Sequence, residues 1–262
     1  MQYELPGQLA ALQADFEKTV TTFIAIHPIE GEKATWLQSR IGGYPFLPVG
    51  TEYPKSTNGK HLLFLAQINC GELPEQDFMP KSGLLQFYIF DDSSYGYRAK
   101  SPAQQDFFRV IYYPEDQLDA LQIQTDFAFL RKMNRRPIKG GGKSWPIEFE
   151  TATEWCPSGD FHFSQLLGAD YFGRFGAQKW DQQFEYDNVV SAAGHKIGGY
   201  ADFAGPDPRS PEDPMLLLLQ LDSDDEVIDW GDFGLVNFFI RKSDVDLLDF
   251  SKVQMHWDNG EI

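Results

Sequence analysis

Ile41-Gly42-Gly43-Tyr44 recurs in the same chain as Ile197-Gly198-Gly199-Tyr200, and the echo does not stop there. The run Leu62-Leu63-Phe64-Leu65-Ala66-Gln67-Ile68-Asn69 is matched by Met215-Leu216-Leu217-Leu218-Leu219-Gln220-Leu221-Asp222. The run Gly83-Leu84-Leu85-Gln86-Phe87-Tyr88-Ile89 is matched by Gly234-Leu235-Val236-Asn237-Phe238-Phe239-Ile240. The three offsets are 156, 153 and 151 residues, in one order along the chain. Such ordered self-similarity is the mark of a repeated structural unit, and two copies instead of many argue against a solenoid.

Around these blocks the elements fall into place. Leu5, Leu9, Leu12, Phe16, Val20 and Phe23 recur at steps of three and four, which predicts an amphipathic helix over 5–23. A short strand is read at 23–27. Residues 62–69 are apolar on both faces and read as a central, doubly covered strand. Aromatic and β-branched runs at 84–90 and 107–113 read as strands, as do 215–222 and 234–240. Partial alternation suggests further strands over 121–129 and 147–151, and 176–188 can form a helix with Trp180 and Phe184 four apart. Each half then runs helix, Gly-Gly loop, Pro-rich loop and two strands. The expected fold is α+β with mainly antiparallel sheets. It is one domain over 1–262 made of two repeats, 1–150 and 151–262, which share a sheet or pack face to face.

Composition narrows the function. The 262 residues include 22 Phe and 6 Trp, so the chain can bury one substantial core or two small ones. No apolar run is long enough to span a bilayer, and the opening residues lack a basic stretch followed by an apolar one, so a cytoplasmic location is expected. The two cysteines, Cys70 and Cys156, are read as reduced and buried, and neither has the neighbouring thiol a zinc site needs. The net charge of −17 repels nucleic acid and anionic membranes and attracts cationic partners. Much of it lies in 222–262, with eleven Asp/Glu against three Lys/Arg. The opposite bias sits at Arg131, Lys132, Arg135, Arg136, Lys139 and Lys143. Solvated surface is the plain reading of both.

No motif calls for a cofactor or metal. The Gly-Gly pairs suit positive φ angles or close chain approach, with a ligand cradle as the second reading. Lys139-Gly140-Gly141-Gly142-Lys143-Ser144 fails the phosphate-loop spacing. Asp222-Ser223-Asp224-Asp225-Glu226 opens like a calcium loop, but Val227 and Phe233 stand where Gly and Glu belong, so an EF-hand is excluded. With Asp229 and Asp232 the segment leaves open an irregular cation site. The first copy has Asn69 in place of Asp222, so this acidity belongs to the second copy alone. His195, Asp207 and Arg209 cluster around the second Gly-Gly loop in sequence, and a catalytic group there competes with a plain Asp-Pro-Arg turn. There is no Gly-x-Ser-x-Gly nucleophile motif.

Several segments together carry a family likeness: Ile41-Gly42-Gly43-Tyr44-Pro45-Phe46-Leu47-Pro48, Phe64-Leu65-Ala66-Gln67-Ile68-Asn69, His195-Lys196-Ile197-Gly198-Gly199-Tyr200, Asp207-Pro208-Arg209 and Trp230-Gly231-Asp232. Over nearly its whole length the chain resembles the YwqG family of uncharacterised bacterial proteins, with Glu52-Tyr53-Pro54 where that family usually shows Trp-Pro. The resemblance carries no catalytic residues. It implies an interaction role, because family members occur in settings with polymorphic toxins and their immunity proteins. The expectation is a non-catalytic, immunity-like binding module whose acidic surface (Asp222, Asp224, Asp225, Asp229, Asp232) covers a basic, toxin-like protein. The alternative is an enzyme or small-molecule or metal-binding protein with its site at the junction of the repeats, where His195, Asp207 and Arg209 are the candidates.

Overall fold

The computed structural model describes residues 3–30, 34–119, 122–130, 137–140, 143–231 and 234–259. Its ten strands are β1 (Thr21–Pro28), β2 (Arg40–Gly42), β3 (Leu63–Asn69), β4 (Leu84–Ile89), β5 (Arg109–Tyr113), β6 (Ser144–Glu154), β7 (Lys196–Gly198), β8 (Leu216–Asp222), β9 (Leu235–Ile240) and β10 (Gln254–Asp258). They form one antiparallel sheet in the order β10-β9-β8-β7-β1-β6-β2-β3-β4-β5. The α+β class and the antiparallel sheet expected from the sequence are therefore found. At the middle of the sheet β1 pairs with β7, and β6 pairs with β2 through residues 144–146. The division at residue 150 falls inside β6.

The sheet curls back on itself. Phe87 on β4 packs against Phe238 on β9 with ring centroids 5.0 Å apart, although the two strands lie near opposite ends of the sheet. The inward positions of both wings, among them Leu65, Leu85, Phe87, Leu219, Val236 and Phe238, meet in one core. The outward faces are covered as well, by loops, so β3, β4 and β9 are buried along almost their whole length. That is why their sequences read as unbroken apolar runs.

The Gly-Gly pairs are backbone devices. Gly42, Gly43, Gly198 and Gly199 hold φ of 71°, 74°, 71° and 70°, a region open to glycine and strained for other residues. A Cβ on Gly199 would collide with the Glu154 carboxylate, and one on Gly43 with the Ser144 side chain.

Three local expectations are corrected. The helix over 5–23 ends early: 3-10 turns at Gly7–Leu12 and Glu17–Thr19 flank one short helix, α1 (Gln13–Phe16), and Phe23 already belongs to β1. Leu5, Leu9 and Phe16 do bury, but Val20 is exposed, because the apolar spacing ran on across the boundary into a strand whose core side chains are Ile24 and Ile26. The segment 122–129 forms no strand; it contributes a single bridge, Pro48 to Ile123, and wraps the Pro-rich loop through Phe127, which stacks on Tyr44. Leu121 lies outside the described residues. The helix expected over 176–188 is α3 (Lys179–Asp187). It follows α2 (Phe161–Leu167), and both pack with the N-terminal turns in a second core around Phe16, Phe163, Phe172 and Tyr186. Trp180 and Phe184 are exposed, because the face packed inward carries Gln182 and Tyr186. A last helix, α4 (Lys242–Asp246), precedes β10.

Candidate functional site

The acidic loop after β8 divides into carboxylates that build it and carboxylates that face solvent. Asp222 accepts hydrogen bonds from the backbone N–H groups of Gly194 (2.8 Å) and Ser223 (2.7 Å). The Asp222 backbone N–H donates to His195 Nδ1 at 3.0 Å, so the neutral ring carries its proton on Nε2, which lies 2.7 Å from Asp224. Asp224 also accepts from the backbone N–H groups of Glu226 and Val227. Partial burial opposes its charge, but His195 and the two N–H donors outweigh burial and hold the carboxyl down at about 2. Lys139 Nζ donates to the Asp224 carbonyl, and Ser223 Oγ bonds both Gly234 O and Trp230 N–H. Asp225, Glu226 and Asp229 point outward from this braced loop. Asp232 lies outside the described residues, as do Arg131, Lys132, Arg135 and Arg136.

His195 does not join Asp207 and Arg209. Arg209, its side chain 1% exposed, donates to Asp160 at 2.6 Å and makes a two-point contact with Asp207 at 2.9 and 3.0 Å. Asp160 caps α2 by accepting from the His162 backbone N–H at 2.9 Å, and its same oxygen lies 2.6 Å from His162 Nδ1. Asp207 accepts from the Phe161 and Arg209 backbone N–H groups. The guanidinium also lies over the rings of Phe161, Phe203 and Phe239. This is a buried turn-and-cap assembly tying the Pro-rich loop to α2. His195 instead belongs to the acidic loop.

Two buried polar rows that no sequence motif signals cross the outward face of the sheet. Across the outward face of the first wing the register places Arg40, Gln67, Gln86 and Ile111 side by side. Across the second wing it places Lys196, Gln220, Asn237 and His256. The inner members act alike. Gln67 donates to the carbonyls of Trp36 and Gln38 and accepts from Phe46 N–H, while Gln220 donates to those of Ala192 and Gly194 and accepts from Asp202 N–H. Gln86 donates to Phe46 O, and Asn237 to Asp202 O.

The outer members differ. In the first half Phe46, Leu84 and Tyr113 form a small apolar core joined by Ile111, and Tyr88 OH donates to Gln86 Oε1 at 2.7 Å. In the second half Asp202 stands at the position of Phe46, Asp258 at that of Tyr113 and His256 at that of Ile111. Phe239 replaces Tyr88 and brings no hydroxyl, and Asn237 Oδ1 is buried without a hydrogen-bond partner. Asp202 is pushed up to about 6 by burial and by neighbouring Asp222. The signal lay in the matched blocks themselves: Gln86-Phe87-Tyr88 against Asn237-Phe238-Phe239, at offset 151.

A cleft of about 740 Å³ opens over the β1/β6 pair, where the halves meet. Tyr3, Phe23, Ala25, Ala152, Glu150 and Glu154 are among the residues that line it. Beneath it, buried Glu154 accepts from Lys196 Nζ at 2.6 Å and from Tyr200 N–H at 2.8 Å. None of His195, Asp207, Arg209 or Asp222 lines this cleft.

Cys70 and Cys156 are buried free thiols, and burial pushes Cys70 up to about 12 and Cys156 higher still. Among the described residues no three His, Cys, Asp or Glu side chains gather closely enough to hold a metal ion, and no helix is long and apolar enough to cross a membrane. Comparison with curated proteins finds no match. A family model described as a domain of unknown function, DUF1963, matches residues 39–259. That span takes in nine of the ten strands, both Gly-Gly loops and both polar rows; the chain belongs to the DUF1963 family.

Proposed function

We propose that this protein is a non-catalytic binding module that engages a basic protein partner through the acidic surface of its second half. The observation that carries the reading is the braced loop after β8. Its inward aspartates are consumed by backbone hydrogen bonds, while Asp225, Glu226 and Asp229 project from a backbone held by Ser223, Asp224 and Lys139. Negative charge on a preorganised loop accelerates encounter with a cationic surface and loses that advantage as salt screens it. Both nitrogens of the His195 ring are engaged, which favours binding over acid–base catalysis at that residue. An immunity-like role, a YwqG relationship and a cytoplasmic setting accord with this reading.

Within the same proposal the chain is an internal duplication with exchanged leading strands. Its support is the palindromic strand order, the matching bulges at Phe64/Ala66 and Leu217/Leu219, and the paired hydrogen bonds of Gln67 and Gln220.

Affinity capture from the source cell at low and high salt tests the reading. A partner retained at low salt and released at high salt is expected. The double charge reversal D225K/D229K should slow association with that partner about tenfold or more at low salt. No partner, or association rates indifferent to salt and to the reversal, would overturn the reading. The cleft over β1 and β6 favours a second reading, a small-molecule site at the junction of the halves, built from Glu150, Glu154 and Phe23 instead of His195, Asp207 and Arg209.

A further inference from the structure

We propose that the outward face of β8, β9 and β10 in the second half is a binding site for a small organic cation bearing N–H donors, a guanidinium or a primary ammonium. The proposal goes beyond the partner reading above and stands without it.

Three observations carry it. The first is a vacated donor. Asn237 is wholly buried, and its amide orientation is set by the bond from Nδ2 to Asp202 O at 2.9 Å, which leaves Oδ1 as an acceptor with nothing to accept. In the first half the equivalent acceptor receives Tyr88 OH, and the second half has removed that hydroxyl by carrying Phe239. A buried acceptor without a donor is costly, so a donor is expected from elsewhere.

The second is the exchange of an apolar cluster for acidic groups. Phe46 and Tyr113 give way to Asp202 and Asp258, and burial, then the neighbouring carboxylates of Asp222 and Asp258, raise the proton affinity of Asp202. His256 stands beside them with its Nε2 3.9 Å from Asp258, and burial lowers its proton affinity, which favours the neutral ring. Arg209 and Lys196 lie in the same neighbourhood, but the guanidinium is committed to Asp160 and Asp207 and the ammonium to Glu154.

The third is access. Asp202, Asp258 and His256 are each partly exposed, beneath the exposed loop 204–206, whose Gly205 N–H donates to Asp258 at 2.7 Å. The described residues hold no triad tight enough for a metal ion, whereas an organic cation spans more widely spaced acceptors through several N–H bonds.

The test is a titration of the full chain with agmatine and with methylammonium, followed by two-dimensional NMR of the Asn237 side-chain amide and the Gly205 backbone amide. Saturable shifts at both are expected. Tetramethylammonium, which has no N–H, should produce none. The double substitution N237Q/F239Y rebuilds the first half's internal Gln–Tyr bond and should weaken agmatine binding at least tenfold. Should that variant misfold, Asp202→Asn serves in its place with the same expected loss. D225K/D229K, which tests the partner reading, should keep the site. Absence of saturable shifts in the wild-type chain, equal binding of tetramethylammonium, or undiminished binding in both N237Q/F239Y and Asp202→Asn would overturn the proposal.

Discussion

Arg40 and Lys196 occupy the same place in the two halves, each at the inner end of its polar row and each buried, yet they are satisfied in different ways. Arg40 spreads its donors over backbone carbonyls: Tyr44 O at 2.8 and 3.1 Å, Trp36 O at 3.2 Å, and Thr35 O. Burial lowers its pKa to about 10. Lys196 has one compact ammonium and takes one carboxylate, Glu154 at 2.6 Å. A guanidinium presents enough N–H groups to tie a loop together unaided, whereas an ammonium in the same cavity needs a counter-charge. The second half therefore carries an obligatory ion pair beneath the β1/β6 cleft, and the first half does not.

The largest expected effect breaks that contrast. Lys196→Met leaves Glu154 charged and buried, and should cost about 3–5 kcal/mol of unfolding free energy in urea. Adding Glu154→Gln should recover most of it, because the penalty comes from the orphaned charge. If the single and double variants unfold alike, the pair is not what holds this region.

The next effect sharpens the comparison of Asp202 with Phe46. Asp202 is raised to about 6 in the folded chain, above its unfolded value near 4, so the folded state binds more protons in that window. Stability should therefore fall as pH rises from about 4 to about 6. Asp202→Asn should remove this slope and add up to about 3 kcal/mol at pH 7, with no gain below pH 4. A saturating organic cation should flatten the same slope in the unmodified chain by favouring the carboxylate. Thermal melts across pH 3.5–7.5 would read both, and an unchanged slope in Asp202→Asn would refute the assignment.

Asp224 has the opposite sign and a smaller effect. Its pKa is depressed to about 2, so its contribution is present above about pH 4 and lost as pH falls from there toward 2. With solvent screening of a partly exposed group, Asp224→Asn should cost about 1 kcal/mol at pH 7 and nothing near pH 2. A cost that persists at pH 2 would mean the loop depends on the shape of the side chain and not on its charge.

How much of this was legible depends on the scale at which the residues act. The strands at 63–69, 84–89, 216–222 and 235–240 were readable because burial on both faces leaves an unbroken apolar run. The helix at the N-terminus was overextended because Val20 and Phe23 continue the step of three and four by coincidence, and periodicity does not see where a strand takes over. Grouping His195 with Asp207 and Arg209 followed closeness along the chain. In the folded protein the residues between them carry β7 and the second Gly-Gly loop, and the two sets end with different partners. The site at Asn237 stood in the matched blocks, but its meaning required knowing that residue 88 donates to residue 86.

Alone, the order of residues determined the four doubly buried strands, the glycine turns and the charge, because apolar runs, positive φ and ionisable groups act over a few residues. Tertiary structure alone decided that β1 pairs with β7 and β6 with β2, that the sheet curls until Phe87 meets Phe238, and that one half keeps an apolar cluster where the other gathers acids. Those outcomes depend on contacts between positions more than 100 residues apart, and a contact has chemistry only once both partners are in place.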